Sequence, residues 1–121
     1  MLTLILGGRN NGKYEYVKSL GYAEDDISQD FSSKVVYKLN DIIYKQTQTG
    51  EFDLGKCVNQ LAGLQDIVIV CDEVGSGIVP MDKTEREYRE NTGRCCCEIA
   101  KIADRVIRVY SGIPSVLKEK V

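Results

Sequence analysis

The chain has 121 residues, 43% of them hydrophobic and 28% charged, with sixteen basic and eighteen acidic side chains and a net charge of −2. That length suits one domain over residues 1–121, and the near-balanced charge argues against a nucleic-acid surface. The longest apolar runs, at 2–6 and 67–71, are far too short to cross a bilayer, and no charged start followed by a long apolar stretch reads as a secretion signal.

Residues 2–6 form a continuous apolar run ending in glycines, the pattern of a strand buried on both faces. Tyr16, Val17 and Leu20 predict a short helix over 13–20 that stops at Gly21. Residues 23–33 are acidic and unpatterned and read as a loop. A β-branched run predicts a second strand at 34–37, and Leu39, Ile42, Ile43 and Gln46 then fall at helical spacing, closed by Gly50. Leu54, Cys57, Val58, Leu61 and Ala62 share one face of a helix over 54–64. The apolar strand 67–71 runs into Asp72-Glu73-Val74-Gly75-Ser76-Gly77-Ile78-Val79-Pro80, a glycine-rich loop. Asp82 and Glu85 make a capping box for a long helix that carries Tyr88, Thr92, Cys95, Cys96, Ile99 and Ala103 at three- and four-residue steps. A last strand follows at 105–110, and Ser111-Gly112-Ile113-Pro114 ends the ordered core. Strands alternating with helices predict an α/β fold, a mainly parallel sheet with helices on both faces and its ligand at the carboxyl end of the first strand.

That end carries Gly7, Gly8, Arg9, Asn10, Asn11, Gly12, Lys13 and Tyr14: glycine, four residues, glycine and lysine, between a strand and a helix. This spacing lets backbone N–H groups wrap a phosphate chain. Gly8 permits close approach, Gly12 opens the helix, and Lys13 neutralises the β- and γ-phosphates. An incidental strand-to-helix turn is the duller alternative. Tyr14 stands where a Ser or Thr hydroxyl would help to hold Mg²⁺. Asp72 and Glu73 end an apolar strand as a Walker B pair does, one orienting a magnesium-bound water and the other accepting a proton from an attacking hydroxyl; a polar strand end is the plain reading. Arg94 suits a phosphate or a salt bridge.

The five cysteines, Cys57, Cys71, Cys95, Cys96 and Cys97, are spaced too irregularly for a disulfide framework and read as free thiols of a reducing cytoplasm. Neighbouring helical residues are turned by about 100°, so three consecutive sulfurs do not converge on one ion. They are read as core filler, with Cys95 or Cys96 facing inward. The chain contains no histidine, which removes the commonest general base and zinc ligand.

Taken together, Asp72-Glu73-Val74-Gly75-Ser76-Gly77-Ile78-Val79-Pro80, the run Arg89-Glu90-Asn91-Thr92-Gly93-Arg94, Ala103-Asp104-Arg105-Val106 and Ser111-Gly112-Ile113 resemble the adenosylcobinamide kinase / adenosylcobinamide-phosphate guanylyltransferase family (CobU) of cobalamin biosynthesis. Leu6-Gly7-Gly8-Arg9-Asn10-Asn11-Gly12-Lys13 is similar to that family's phosphate loop. The resemblance implies a P-loop NTPase-like three-layer fold, a reduced RecA-like core. It implies GTP or ATP as ligand, Mg²⁺ as cofactor at Asp72, adenosylcobinamide as acceptor, Lys13 and Glu73 as catalytic residues, and trimers with sites between subunits. Guanylyl transfer in the family runs through a histidine, so only the kinase half is expected here; a nucleotide-binding regulatory or assembly protein is the alternative. The sequence departs from the family at Tyr14, at Lys38, where a carboxylate is usual, and at Cys96-Cys97, and it is shorter between the first helix and Lys34.

Overall fold

The computed structural model describes residues 1–74 and 82–120, so the Gly75-Ser76-Gly77-Ile78-Val79-Pro80 part of the glycine-rich loop lies outside the described residues. Six strands form one sheet in the order β2-β3-β4-β1-β5-β6. The strands are β1 (Leu2–Gly7), β2 (Ile27–Ser28), β3 (Val35–Val36), β4 (Ile67–Asp72), β5 (Arg105–Tyr110) and β6 (Ile113–Glu119). All pairs are parallel except β5 with β6.

The fully apolar runs became the sheet's centre, as buried backbone requires of a segment with no wettable face. Every residue of β4 is buried, and β1 lies between β4 and β5. Alternate side chains serve two cores. Leu2, Leu4, Ile67, Ile69, Cys71 and Val106 pack with α2 (Leu39–Thr49), α3 (Leu54–Ala62) and α4 (Lys83–Ile102) through Leu39, Ile43, Cys57, Leu61, Tyr88, Cys95 and Ile99. Ile5, Val35, Val68, Val70, Ile107 and Val109 pack with Val17 of α1 (Lys13–Ser19) on the other face. Among the described residues, helices therefore cover both faces, three on one and one on the other. Among the described residues, no helix is long and apolar enough to cross a membrane.

The ends of the elements follow local chemistry. Asp82 caps α4 by accepting from the amides of Thr84 and Glu85, and Asp53 caps α3 by accepting from that of Lys56. Gly50 takes φ 74° at the end of α2, the left-handed turn that glycine adopts without strain.

Two expectations require correction. The segment 23–33 is not all loop: a 3₁₀ turn over Glu24–Asp26 leads into β2, whose two residues pair with β3. A two-residue strand has no periodicity to detect. The ordered core also does not end at Pro114, because residues from Ile113 turn back as β6 beside β5. Ser111 (φ 50°) and Gly112 (φ 77°) form the two-residue connection, the backbone that tight hairpins need to match strand twist. Pro114 is accommodated because β6 is an edge strand.

The cysteines are more ordered than filler suggests. Cys95 lies 3.7 Å from Cys57 of α3, and Cys96 lies 3.5 Å from Cys71 of β4, sulfur to sulfur. The turn between consecutive helical residues sends each to a different partner, while Cys97 is exposed. The hydrogen bonds within the pairs and burial push the Cys71 and Cys95 thiols up, which keeps both neutral. Among the described residues, no group of three or more metal-binding side chains is present.

Asp104, entering β5, accepts a 2.7 Å hydrogen bond from the Leu2 amide, and this contact holds its carboxyl below the usual value of 3.8. A depressed carboxyl stabilises the fold above its unfolded pKa, and that contribution disappears as pH falls through the lower folded value. Asp104→Asn should therefore lower the urea midpoint at pH 7 and lose less than the wild-type chain does between pH 7 and pH 3. Equal acid sensitivity in both proteins would rule this out.

Candidate functional site

Register builds the site. Gly7 pairs with Asp72 across β1 and β4, so the loop after β1 and the acidic end of β4 emerge side by side. The loop turns through Asn10 (φ 62°) and Gly12 (φ 91°) into α1, whose first residue is Lys13. Lys13 folds back over the loop. Its Nζ donates to the carbonyls of Gly7 (3.0 Å) and Gly8 (2.6 Å) and pairs with Asp72 Oδ1 at 2.8 Å. Both side chains are almost fully buried, 3% and 6% exposed. A buried ion pair of this kind persists because each charge has its opposite within contact distance.

The loop is clamped from the far end of the chain. Asn11 accepts from the Gly112 amide through its carbonyl (2.8 Å) and from the Ser111 amide through Oδ1 (3.3 Å). A Cβ on Gly12 would sit 3.0 Å from the Gly112 Cα, so the hairpin turn of β5 and β6 forms one wall of the cradle.

A cavity of about 430 Å³ opens here, lined by Asn10, Asn11, Gly12, Lys13, Tyr14, Glu15, Tyr37, Lys38, Asp72, Ser111 and Gly112. Of the loop residues named from the sequence, Asn10, Asn11, Gly12, Lys13 and Tyr14 line it. Gly7 and Gly8 lie beneath, offering carbonyls to Lys13. Arg9 is exposed and lines a separate 190 Å³ cavity with Asp72, Glu73, Val74, Glu85, Tyr88 and Arg89.

Tyr14 packs edge-on against Tyr37, with ring centroids 5.5 Å apart, and Lys18 Nζ lies 5.8 Å from the centre of the Tyr14 ring. The phenol thus occupies an aromatic corner of the cavity. Tyr37 was not singled out from the sequence. Burial, and then the negative charge of Asp72, pushes its phenol up, so it remains a neutral O–H donor at the wall.

The two carboxylates of β4 are arranged differently. Asp72 is buried, and Asn40 at the start of α2 holds it twice: Asn40 Oδ1 accepts from the Asp72 amide (3.0 Å), and Asn40 Nδ2 donates to Asp72 Oδ2 (3.4 Å). The same Nδ2 lies 3.3 Å from the Tyr88 hydroxyl. Glu73 is exposed and pairs with Arg108 of β5 at 3.0 Å. Asn40 and Arg108 escaped notice because neither lies in a local motif; each meets its carboxylate only across the sheet or from a helix start. Arg94, on α4, pairs with Glu90 at 2.5 Å, the plain alternative given for it.

This donor set does not fit Mg²⁺ as it stands. The oxygens of Asp72 face Lys13 and Asn40, Glu73 faces Arg108, and an aromatic ring stands at the hydroxyl position.

A family model described as cobinamide kinase / cobinamide phosphate guanyltransferase (CobU) matches residues 31–117. The chain belongs to this family. The CobU match takes in Lys38, Asn40, Asp72, Glu73 and the hairpin turn, while the loop at 7–14 lies ahead of it. Over 47 residues the chain is 45% identical to the bifunctional adenosylcobalamin biosynthesis protein CobU of Salmonella typhimurium, covering 39% of this chain and 26% of that protein. The matched part is thus about a quarter of that relative's length. The three-layer α/β architecture agrees with the P-loop NTPase-like fold of the CobU family.

Proposed function

We propose that this CobU-family chain binds a nucleoside triphosphate, GTP or ATP, with its phosphates in the cavity above Lys13. One observation carries the reading: a buried ammonium group, held between two loop carbonyls and a carboxylate, lies at the floor of a cavity walled by the loop of residues 10–12. Polyphosphate entering there offers Lys13 a second set of anionic partners, and the N-terminal end of α1 favours the same charge. The residues proposed to hold nucleotide are Gly7, Gly8, Arg9, Asn10, Asn11, Gly12, Lys13 and Tyr14.

The proposed reaction is transfer of the terminal phosphoryl group to a cobinamide hydroxyl. Glu73, released from Arg108, would accept the hydroxyl proton, and Lys13 would stabilise charge on the transferring group. Guanylyl transfer is left out, because the family resemblance routes it through a histidine and this sequence has none. A second reading, binding without transfer, is favoured by the ion pairs that engage both Asp72 and Glu73.

Calorimetric titration with GTP and with ATP, followed by an assay of labelled phosphate transfer to adenosylcobinamide, separates these readings. Saturable binding with transfer supports the kinase, and binding without transfer supports the second reading. Failure of both nucleotides to bind at millimolar concentration overturns the proposal.

A further inference from the structure

We infer that Lys38 takes the place of a metal ion at this site, so that the chain binds the polyphosphate of a nucleotide without Mg²⁺. This rests on the nucleotide reading above and specifies its electrostatics. A triphosphate carries several negative charges in close proximity, and a site that binds it must supply cations to the oxygens that Lys13 does not reach. A metal held by the two β4 carboxylates and a loop hydroxyl would supply them, but those carboxylates face Lys13, Asn40 and Arg108, and the hydroxyl position holds the Tyr14 ring.

Lys38 offers the missing charge from elsewhere in the same lining. It lines the same cavity as Lys13, just beyond β3, at the start of α2. Its backbone sits at φ 57°, a left-handed conformation that an L-residue with a long side chain adopts only at a cost. Among the described residues, no carboxylate forms an ion pair with it; its ammonium group lies 5.8 Å from the centre of the Tyr37 ring. The cations lining the cavity are thus Lys13 and Lys38, and the carboxylates lining it are Asp72 and Glu15. Lys13 is matched by Asp72, whereas half-buried Lys38 carries a point charge on a flexible four-carbon stem that a phosphate can draw in. Neutral Tyr37 beside it adds an O–H donor.

The test is the dissociation constant for ATP and GTP in excess EDTA and in excess Mg²⁺, for the wild-type chain, Lys38→Asn and Lys38→Asp. Asparagine and aspartate both tolerate a left-handed backbone, so the variants should fold, which circular dichroism checks. Wild-type affinity should differ by less than about twofold between the two conditions. Lys38→Asn should weaken binding in EDTA by roughly 10-fold or more, the size of a lost charged hydrogen bond. Lys38→Asp should bind in Mg²⁺ but not in EDTA. Wild-type binding that requires Mg²⁺ and is unchanged in Lys38→Asn overturns the inference while leaving the nucleotide reading intact. No binding by the wild-type chain in either condition overturns both.

Discussion

Lys13→Ala should abolish nucleotide binding and also unfold the chain more easily, because the ammonium group proposed to meet the ligand also holds the fold. Its Nζ is Asp72's only ion-pair partner among the described residues, and the pair is nearly inaccessible to water. Removing the cation leaves a buried carboxylate uncompensated, a change that costs about 3–5 kcal/mol. In a domain of this size that lowers the melting temperature by roughly 10–20 °C. The double variant Lys13→Met with Asp72→Leu separates the two roles. It removes both charges from the same space, so most of the stability should return. Nucleotide binding should not. Thermal unfolding of the three proteins beside nucleotide titration checks both statements, and a Lys13→Ala protein as stable as wild type would contradict the buried pair.

Among the described glycines outside the loop's turn, Gly7 should be the one that a change to Ala damages most. A Cβ there would sit 2.5 Å from the Val109 carbonyl oxygen, a backbone atom fixed within β5. Relief requires β1 and β5 to part where the loop begins. The Gly7 carbonyl is also fixed, accepting from Lys13 Nζ and from the Glu73 amide at 2.8 Å. Overpacking of this kind costs about 3 kcal/mol, and nucleotide affinity should fall with it as the carbonyl shifts. Gly93→Ala provides the contrast. Gly93 lies within α4, where an added Cβ meets nothing within 4 Å, so the same change should stabilise by roughly 0.5–1 kcal/mol. Urea unfolding that showed the same sign for both variants would contradict the close β1–β5 approach.

The chemistry-bearing positions visible in the sequence were those written into local spacing. The strand, loop and helix around Gly12 and Lys13, and the carboxylates ending β4, follow from contiguous residues, and the register of Gly7 with Asp72 brings them together. The partners of those groups were not legible. Asn40 appears as the first turn of an ordinary amphipathic helix, and its grip on Asp72 exists only once α2 packs over β4. Arg108 occupies an outward position of an alternating strand, where any polar residue would satisfy the pattern. The cysteine pairs require α3, α4 and β4 to be assembled before any sulfur has a neighbour. By contrast, β6 was within reach. Ser111-Gly112 after an alternating strand is a hairpin signal, and the interruption by Pro114 concealed it because proline is excluded only from interior strands.

The clamp that Ser111 and Gly112 place on Asn11 has a consequence for synthesis. The loop proposed to hold phosphate spans residues 7–14, but its wall is supplied a hundred positions later. A nascent chain halted on the ribosome before Gly112 has emerged can hold the strand and glycines of the loop without the buttress that fixes their shape. On the nucleotide reading such an intermediate should not retain ligand, so capture would follow synthesis of the β5–β6 hairpin and could not guide the folding steps before it.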